Sequence, residues 1–407
     1  MPTNAPSKPT SNSNSSSKSP STTNADEPGT PLPGIDAHPH ARAVLTAALA
    51  PNGSPSHAYL FHGPAGTGKR TLARAFAGAL LAEGARNPDT VAERVARDCH
   101  PDLTWVRPSG AAEMLVSDIE EPVVAAATRT PFESARRVFV IESAHTMNDQ
   151  AANRMLKTLE EPPAFTHLLL LADRREEVLA TIASRCQHVR FDPLPSATIA
   201  RRLQDMAGVD AERARACARL ALGDAAWAQR LAGEEGGALR DRAEELVRSA
   251  VAGKTGTRPW LGLLEVAKAA SATEGEQAQE RLESELELVP SRERKRYERE
   301  AVEARRRGER RARTRTLELG LRLSELWLRD VLCVREGAPE LVYAVDRRTE
   351  LEQDADGLSS RREGVDAGAL ERGMELVADT RLSLSLNVSE ELALEGLAYR
   401  LQALLAA

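Results

Sequence analysis

Short apolar runs punctuate the first half of the chain, whereas the second half is dominated by helical periodicity. The runs at 58–61, 138–141 and 167–171 show no polar alternation, which is the pattern of strands covered on both faces in a parallel sheet, and 103–106 and 188–191 read as further short strands. Between them, 72–81 and 148–161 place apolar residues at helical spacing, and the second is stopped by Pro162 and Pro163. Residues 38–50 and 116–129 also read as helices, 181–186 opens a short one, and 83–98 is a polar linker or short helix. Strand and helix in alternation predict a doubly wound α/β domain over 35–192. From Pro193 onward the period is helical only. Three short amphipathic helices (197–204, 212–222, 225–231) predict a small helical unit over 193–236, and 237–407 reads as nearly all helix. Residues 1–34 are rich in Ser, Thr, Asn and Pro; they cannot bury enough apolar surface to offset their ordering entropy and are predicted to be a disordered tail.

A length of 407 residues suits two or three domains, and the low aromatic content of 3% beside abundant Ala, Leu, Arg and Glu fits the helical bias. The formal net charge of -6 argues against whole-surface attraction to nucleic acid, though not against a local basic site. Cys99, Cys186, Cys217 and Cys333 are scattered without paired spacing, so neither a disulfide framework nor a zinc site is expected. Without an apolar run long enough for a membrane span or a signal core, the chain reads as a soluble cytoplasmic protein with no membrane partner.

Chemistry enters at Gly63-Pro-Ala-Gly-Thr-Gly-Lys69, which directly follows the first apolar run and precedes a helix. Strand, glycine loop and helix form the context in which this motif cradles phosphate: backbone N–H groups converge, and the helix terminus adds partial positive charge. The candidate nucleotide-binding residues are Gly63, Pro64, Ala65, Gly66, Thr67, Gly68, Lys69, Arg70 and Thr71, with ATP or ADP as the ligand. Position 70 should carry a hydroxyl for magnesium, but it is Arg70, and Thr71 lies about 100° further round the helix. The third apolar run ends in Glu142 and Ser143. Glu142 retains a carboxylate for magnesium, whereas Ser143 stands where a second carboxylate would activate water, and serine supplies no base at neutral pH. Hydrolysis is therefore expected to be lost.

Four further segments complete the picture: His57-Ala-Tyr-Leu-Phe-His-Gly63, His100-Pro-Asp102, Leu156-Lys-Thr-Leu-Glu-Glu-Pro-Pro163 and Thr181-Ile-Ala-Ser-Arg-Cys186. Together with the phosphate loop they resemble the AAA+ clamp-loader subunits of bacterial DNA polymerase III, and within that family the delta-prime branch. The resemblance implies an α/β AAA+ P-loop domain, a small helical lid and an all-α collar with a charged insertion at about 273–316. It implies that Arg185 is an arginine finger acting on a neighbouring subunit's ATP, with Ser184 and Cys186 holding its turn. It also implies gamma/tau and delta subunits as partners, with the sliding clamp and primed DNA reached through the assembly. In this light Ala226, near the place of a lid arginine, and Leu171-Ala-Asp-Arg174, in place of a threonine-rich strand end, are further departures from a working site. Only Cys99 remains of the family's zinc-module cysteines, so no zinc is expected. The competing reading is an active gamma/tau-like ATPase with Glu142 as its catalytic carboxylate; a second is an AAA+ protein outside replication.

One segment stays open. Residues 273–287 are acidic and 292–315 intensely basic. The basic part reads either as a DNA-contacting arm or as half of a charge-paired, solvated helical hairpin, and a single aromatic, Tyr297, leaves it without a platform for base stacking.

Overall fold

The computed structural model describes residues 32–109, 113–286, 294–359, 367–384, 386 and 388–406. Most of the sequence-predicted tail, residues 287–293 of the charged insertion and Asn387 lie outside the described residues. Five strands form one sheet: β1 (Ala58–His62), β2 (Leu103–Val106), β3 (Arg137–Ile141), β4 (Thr166–Ala172) and β5 (Gln187–Arg190). Their order is β2-β3-β4-β1-β5 and every pairing is parallel. Tyr59 of β1 stands between Leu169 of β4 and Gln187 of β5, which fixes the register at the centre.

The absence of polar alternation now has its cause. Ala58, Leu60, Phe139, Ile141, Leu168 and Leu170 point into one core cluster, while Tyr59, Phe61, Val138, Val140, Leu169 and Leu171 point into another on the opposite face. Both faces are covered by helices. In chain order the first are α1 (Pro39–Ala48), α2 (Lys69–Ala82), α3 (Pro88–Ala96), α4 (Val116–Ile119), α5 (Asp149–Glu160) and α6 (Ala180–Ala183). Leu72, Phe76 and Leu80 of α2 fill one core, and Met155 and Leu159 of α5 the other.

Two expectations need correction. The helix expected over 116–129 breaks after α4 into a π-helical turn, Glu120–Ala125, because Pro122 has no N–H to give to a continuing α-helical ladder. Leu32, assigned by sequence to the tail, is buried beside Ile35 in the second core.

The remaining chain is helical: α7 (Ser196–Ala207), α8 (Ala211–Leu220), α9 (Ala225–Ala232), α10 (Glu234–Val251), α11 (Trp260–Leu286), α12 (Arg294–Arg335), α13 (Arg348–Ser359), α14 (Ala367–Leu384) and α15 (Glu390–Leu405). Their apolar residues form one continuous cluster from Leu194 to Leu405, and the boundary drawn from sequence at 236/237 falls in the first turn of α10. Trp327 and Asp330 of α12 are internal braces. Trp327 Nε1 donates to Asp354 Oδ2 at 2.9 Å, and Asp330 accepts from the backbone N–H groups of Tyr343 and Ala344, both at 2.8 Å. Among the described residues no helix is long and apolar enough to cross a membrane.

His100-Pro-Asp102 is likewise a structural device. The buried Asp102 carboxylate accepts from the N–H groups of Phe132 (2.6 Å), Glu133 (2.9 Å) and Ser134 (2.9 Å), and its backbone oxygen accepts from Val138 at the start of β3. One side chain thus pins the loop that feeds β3. Burial alone would raise its pKa, but the three donors outweigh this and hold it below the ordinary 3.8. A depressed acid stabilises the fold fully above its unfolded pKa, and that contribution is lost as pH falls through the folded value. Asp102→Ala leaves three N–H groups unpaired and should destabilise the α/β domain by roughly 2–4 kcal/mol, read as a lowered urea midpoint at pH 7. The gap between wild type and variant should narrow as the pH is taken below about 4.

Candidate functional site

In a parallel sheet all strand carboxyl ends lie at one edge, where ligands of doubly wound folds bind. Here that edge gathers the phosphate loop after β1, Glu142 and Ser143 after β3, and Asp173 after β4. Gly66 and Gly68 adopt φ of 70° and 93°, conformations open to glycine at no steric expense, and they turn the chain into α2. Thr67 is buried, its hydroxyl donates to Pro64 O at 2.9 Å, and its own carbonyl accepts from His38 Nε2 at 2.7 Å. The loop has the shape that its sequence leads one to expect.

Its charges are already matched from within. The Lys69 ammonium donates to the carbonyl oxygens of Gly63 and Pro64, the latter at 2.8 Å, and to Asp173 Oδ1 at 3.0 Å. An ammonium has three protons, and all three have partners in the chain. Burial lowers the Lys69 pKa, with Asp173 opposing that shift. One residue on, the Arg70 guanidinium lies 2.9 Å from Glu142 Oε1. The same carboxylate oxygen accepts from Arg107 Nε at 3.2 Å and from Trp105 Nε1. Thr71 is exposed. These residues do not fit magnesium: the hydroxyl ligand is missing, and an arginine occupies the carboxylate that would hold the ion.

The helical region adds a third intrusion. The Asp224 carboxylate, at the N-terminus of α9, lies so close to Gly66 that a Cβ added there would sit 1.6 Å from its Oδ1, and Ala225 N donates to Gly66 O at 3.2 Å. Asp224 also caps α9 by accepting from Trp227 N at 2.7 Å. A carboxylate thus rests on the turn that would receive phosphate. Ala226, in the next position, is exposed. Ser143 has φ 52°, a left-handed conformation storing roughly 1 kcal/mol or more of strain in a non-glycine residue. Its carbonyl accepts from both Thr146 N and Thr146 Oγ1 at 2.8 Å.

Arg185 is elsewhere. It stands two residues before β5, at the amino edge of the sheet, whereas the phosphate loop stands at the carboxyl edge of β1, the strand beside it. Four or five residues of strand, about 13–16 Å, separate the two levels. Its guanidinium meets Glu160 Oε1 through Nε at 3.0 Å and Nη2 at 2.5 Å, and Nη1 donates to Thr181 O at 2.9 Å and to Ser184 Oγ at 3.3 Å. Ser184 Oγ in turn donates to Thr181 O at 3.2 Å. Cys186 is buried in the core, and burial pushes its thiol up to about 12, so it packs and does not react. Among the described residues, none of the phosphate-loop side chains touches Arg185.

The structure therefore brings together residues 63–71, Glu142 and Ser143, and sets Ser184, Arg185 and Cys186 apart. Sequence reasoning missed Asp173, Asp224, Arg107 and Glu160 as parts of these sites. Asp173 was findable as a carboxylate at the end of a strand that parallels β1. Asp224 lies more than 150 residues from the loop it touches, and no local pattern announces that.

A family model described as DNA polymerase III, delta subunit, matches residues 38–195. DNA polymerase III subunit delta' of Pseudomonas aeruginosa is 37% identical over 189 residues, 44% of this chain and 56% of that protein. Subunit delta' of Bacillus subtilis is 37% identical over 158 residues, 36% of this chain and 46% of that one. Subunit gamma/tau of Mycobacterium tuberculosis is 36% identical over 165 residues, 39% of this chain and 28% of that one. The chain spans about half the length of the curated delta' relatives it matches. With the sheet order and the phosphate loop already described, the α/β half of the chain is similar to the matching part of DNA polymerase III delta' subunits.

Proposed function

We propose that this chain is a delta-prime-like subunit of a DNA polymerase III clamp loader: it gives Arg185 to the ATP site of a neighbouring gamma/tau subunit while its own hydrolytic site is inactive. With gamma/tau and delta it would scaffold the ATP-driven loading of a sliding clamp onto primed DNA. The observation that carries this reading is the placement of Arg185 on the edge of the sheet away from its own phosphate loop. A guanidinium there can serve only another subunit's phosphate, where it offsets charge that develops as the γ-phosphoryl group leaves. Its ion pair with Glu160 supports the same reading. Arg185 is 36% exposed and Glu160 50%, and exposed pairs of this kind contribute about 0–1 kcal/mol, so a docking partner displaces Glu160 at little expense.

The inactive own site rests on the Arg70–Glu142 pair and on Asp224. Activity of the gamma/tau kind would require both to be dismantled before a metal-bound triphosphate could enter.

Two outcomes are expected. In a complex reconstituted with gamma/tau, delta, clamp and primed DNA, Arg185→Ala should cut ATP turnover several-fold or more, and Lys69→Ala in this chain should leave it unchanged; loss of turnover with Lys69→Ala instead would overturn the proposal. The second concerns the loop itself. Asp224→Ser keeps a good helix cap while removing the carboxylate from Gly66, and paired with Arg70→Thr it returns a hydroxyl to the magnesium position. The double variant should bind a fluorescent ATP analogue in the presence of magnesium at least tenfold more tightly than wild type, measured by anisotropy.

A further inference from the structure

The described parts of the charged insertion, the end of α11 and the start of α12, form a paired helical arm. On α11 the buried apolar positions end at Ala267, and on α12 they begin at Leu317. Beyond those positions the helical stretches of α11 and α12 lie against each other, and Arg313 near the base of the arm also pairs with Glu390 of α15. The two stretches approach closely where Gly275 faces Glu309 and Gly308 faces Glu274, and Arg305 Nη1 donates to Gln279 Oε1 at 3.1 Å. Arg305, Gly308 and Glu309 therefore mark the side of α12 that meets α11.

The other side of α12 is basic. Residues 294–315 contain eleven Arg or Lys against four Glu. At 100° per residue, Lys295, Arg299, Arg306 and Arg310 fall within about 60° of one another and run for about 22 Å along the helix. All four are exposed. Among the described residues Lys295, Arg299 and Arg310 pair with no carboxylate, and Arg306 reaches only Glu303, at 3.8 Å. The acidic residues of α11 do not neutralise them: Arg281 pairs with Glu274 on its own helix, and none of the four stripe cations reaches α11.

We infer that this stripe is a docking surface for the phosphate backbone of duplex nucleic acid. A straight row of four exposed cations, three of them without a carboxylate partner among the described residues, fits a regular array of phosphates, which presents one charge per about 1.7 Å of duplex axis. A protein partner would need an apolar anchor as well, and among the described residues the only large apolar side chain exposed on this part of α12 is Val302. The stripe carries no aromatic residue, so unstacked single-strand bases have no platform, and binding is by charge and without base preference. This surface does not depend on the role of Arg185.

The test uses the full chain and a fluorescent 30-base-pair DNA duplex of arbitrary sequence, with affinity measured by anisotropy from 50 to 300 mM salt. Wild type should bind with a steep inverse dependence on salt. The variant Lys295→Gln, Arg299→Gln, Arg306→Gln, Arg310→Gln removes the charges while keeping polar side chains of similar helix propensity. It should bind at least tenfold more weakly at 100 mM salt, and its slope of log affinity against log salt should be shallower by about three to four, the loss of four phosphate contacts. An unchanged circular dichroism spectrum and melting temperature would establish that the arm is intact. Three results would overturn the inference: no duplex binding by wild type at 50 mM salt, a folded variant with unchanged affinity and slope, or a preference of wild type for single strands. Should the quadruple variant fail to fold, Arg299→Gln with Arg310→Gln must show about half of the slope change, or the inference fails.

Discussion

The parallel direction of all five strands is the constraint on which the rest depends. It sends every strand's carboxyl end to one edge and every amino end to the other, so the chain has two chemical faces that cannot meet. Residues 63–71, Glu142 and Asp173 share the first, and Arg185 and Glu160 share the second. A chain arranged this way holds an arginine that its own phosphate loop cannot use, which on the proposed function is available to a neighbouring subunit. The separation is set by the backbone and would survive any repacking of side chains.

At the carboxyl edge the governing physics is local charge balance. A working site of this type leaves a lysine, a metal and a carboxylate to be matched by phosphate. In this chain Lys69 is matched by Asp173 and two carbonyl oxygens, Glu142 by Arg70, Arg107 and Trp105, and the turn at Gly66 is covered by Asp224. Each partner stabilises the folded state that a nucleotide would otherwise stabilise. Opening the loop means breaking a buried lysine's ion pair and withdrawing α9, both of which cost free energy before any phosphate contact is gained.

Much of this was legible in the sequence because it is written in short range. Strands covered on both faces produce unbroken apolar runs, and β1, β3 and β4 were visible for that reason. The glycines of the phosphate loop, and the Asn148 side chain that caps α5 by accepting from Ala151 N, are likewise local signals. What escaped were interactions between residues far apart in the chain. Arg70 reads as a missing hydroxyl until Glu142 is seen beside it, and Asp224 reads as a helix cap until Gly66 is seen beneath it. Pro122 is the local signal against a single helix over 116–129. Leu32 looked like tail because its neighbours are polar, although one leucine at the right place suffices to fill a core.

The most direct measurement is the thermal transition of the isolated chain with and without 5 mM magnesium-ATP. A ligand present at about a thousand times its Kd adds about 4 kcal/mol to the folded state and raises Tm by several degrees. A loop closed on its own charges should leave Tm unmoved within about 1 °C, for wild type and Lys69→Ala alike. A rise of several degrees in wild type that disappears in Lys69→Ala would contradict it, and would mean that the loop opens to nucleotide despite Arg70 and Asp224.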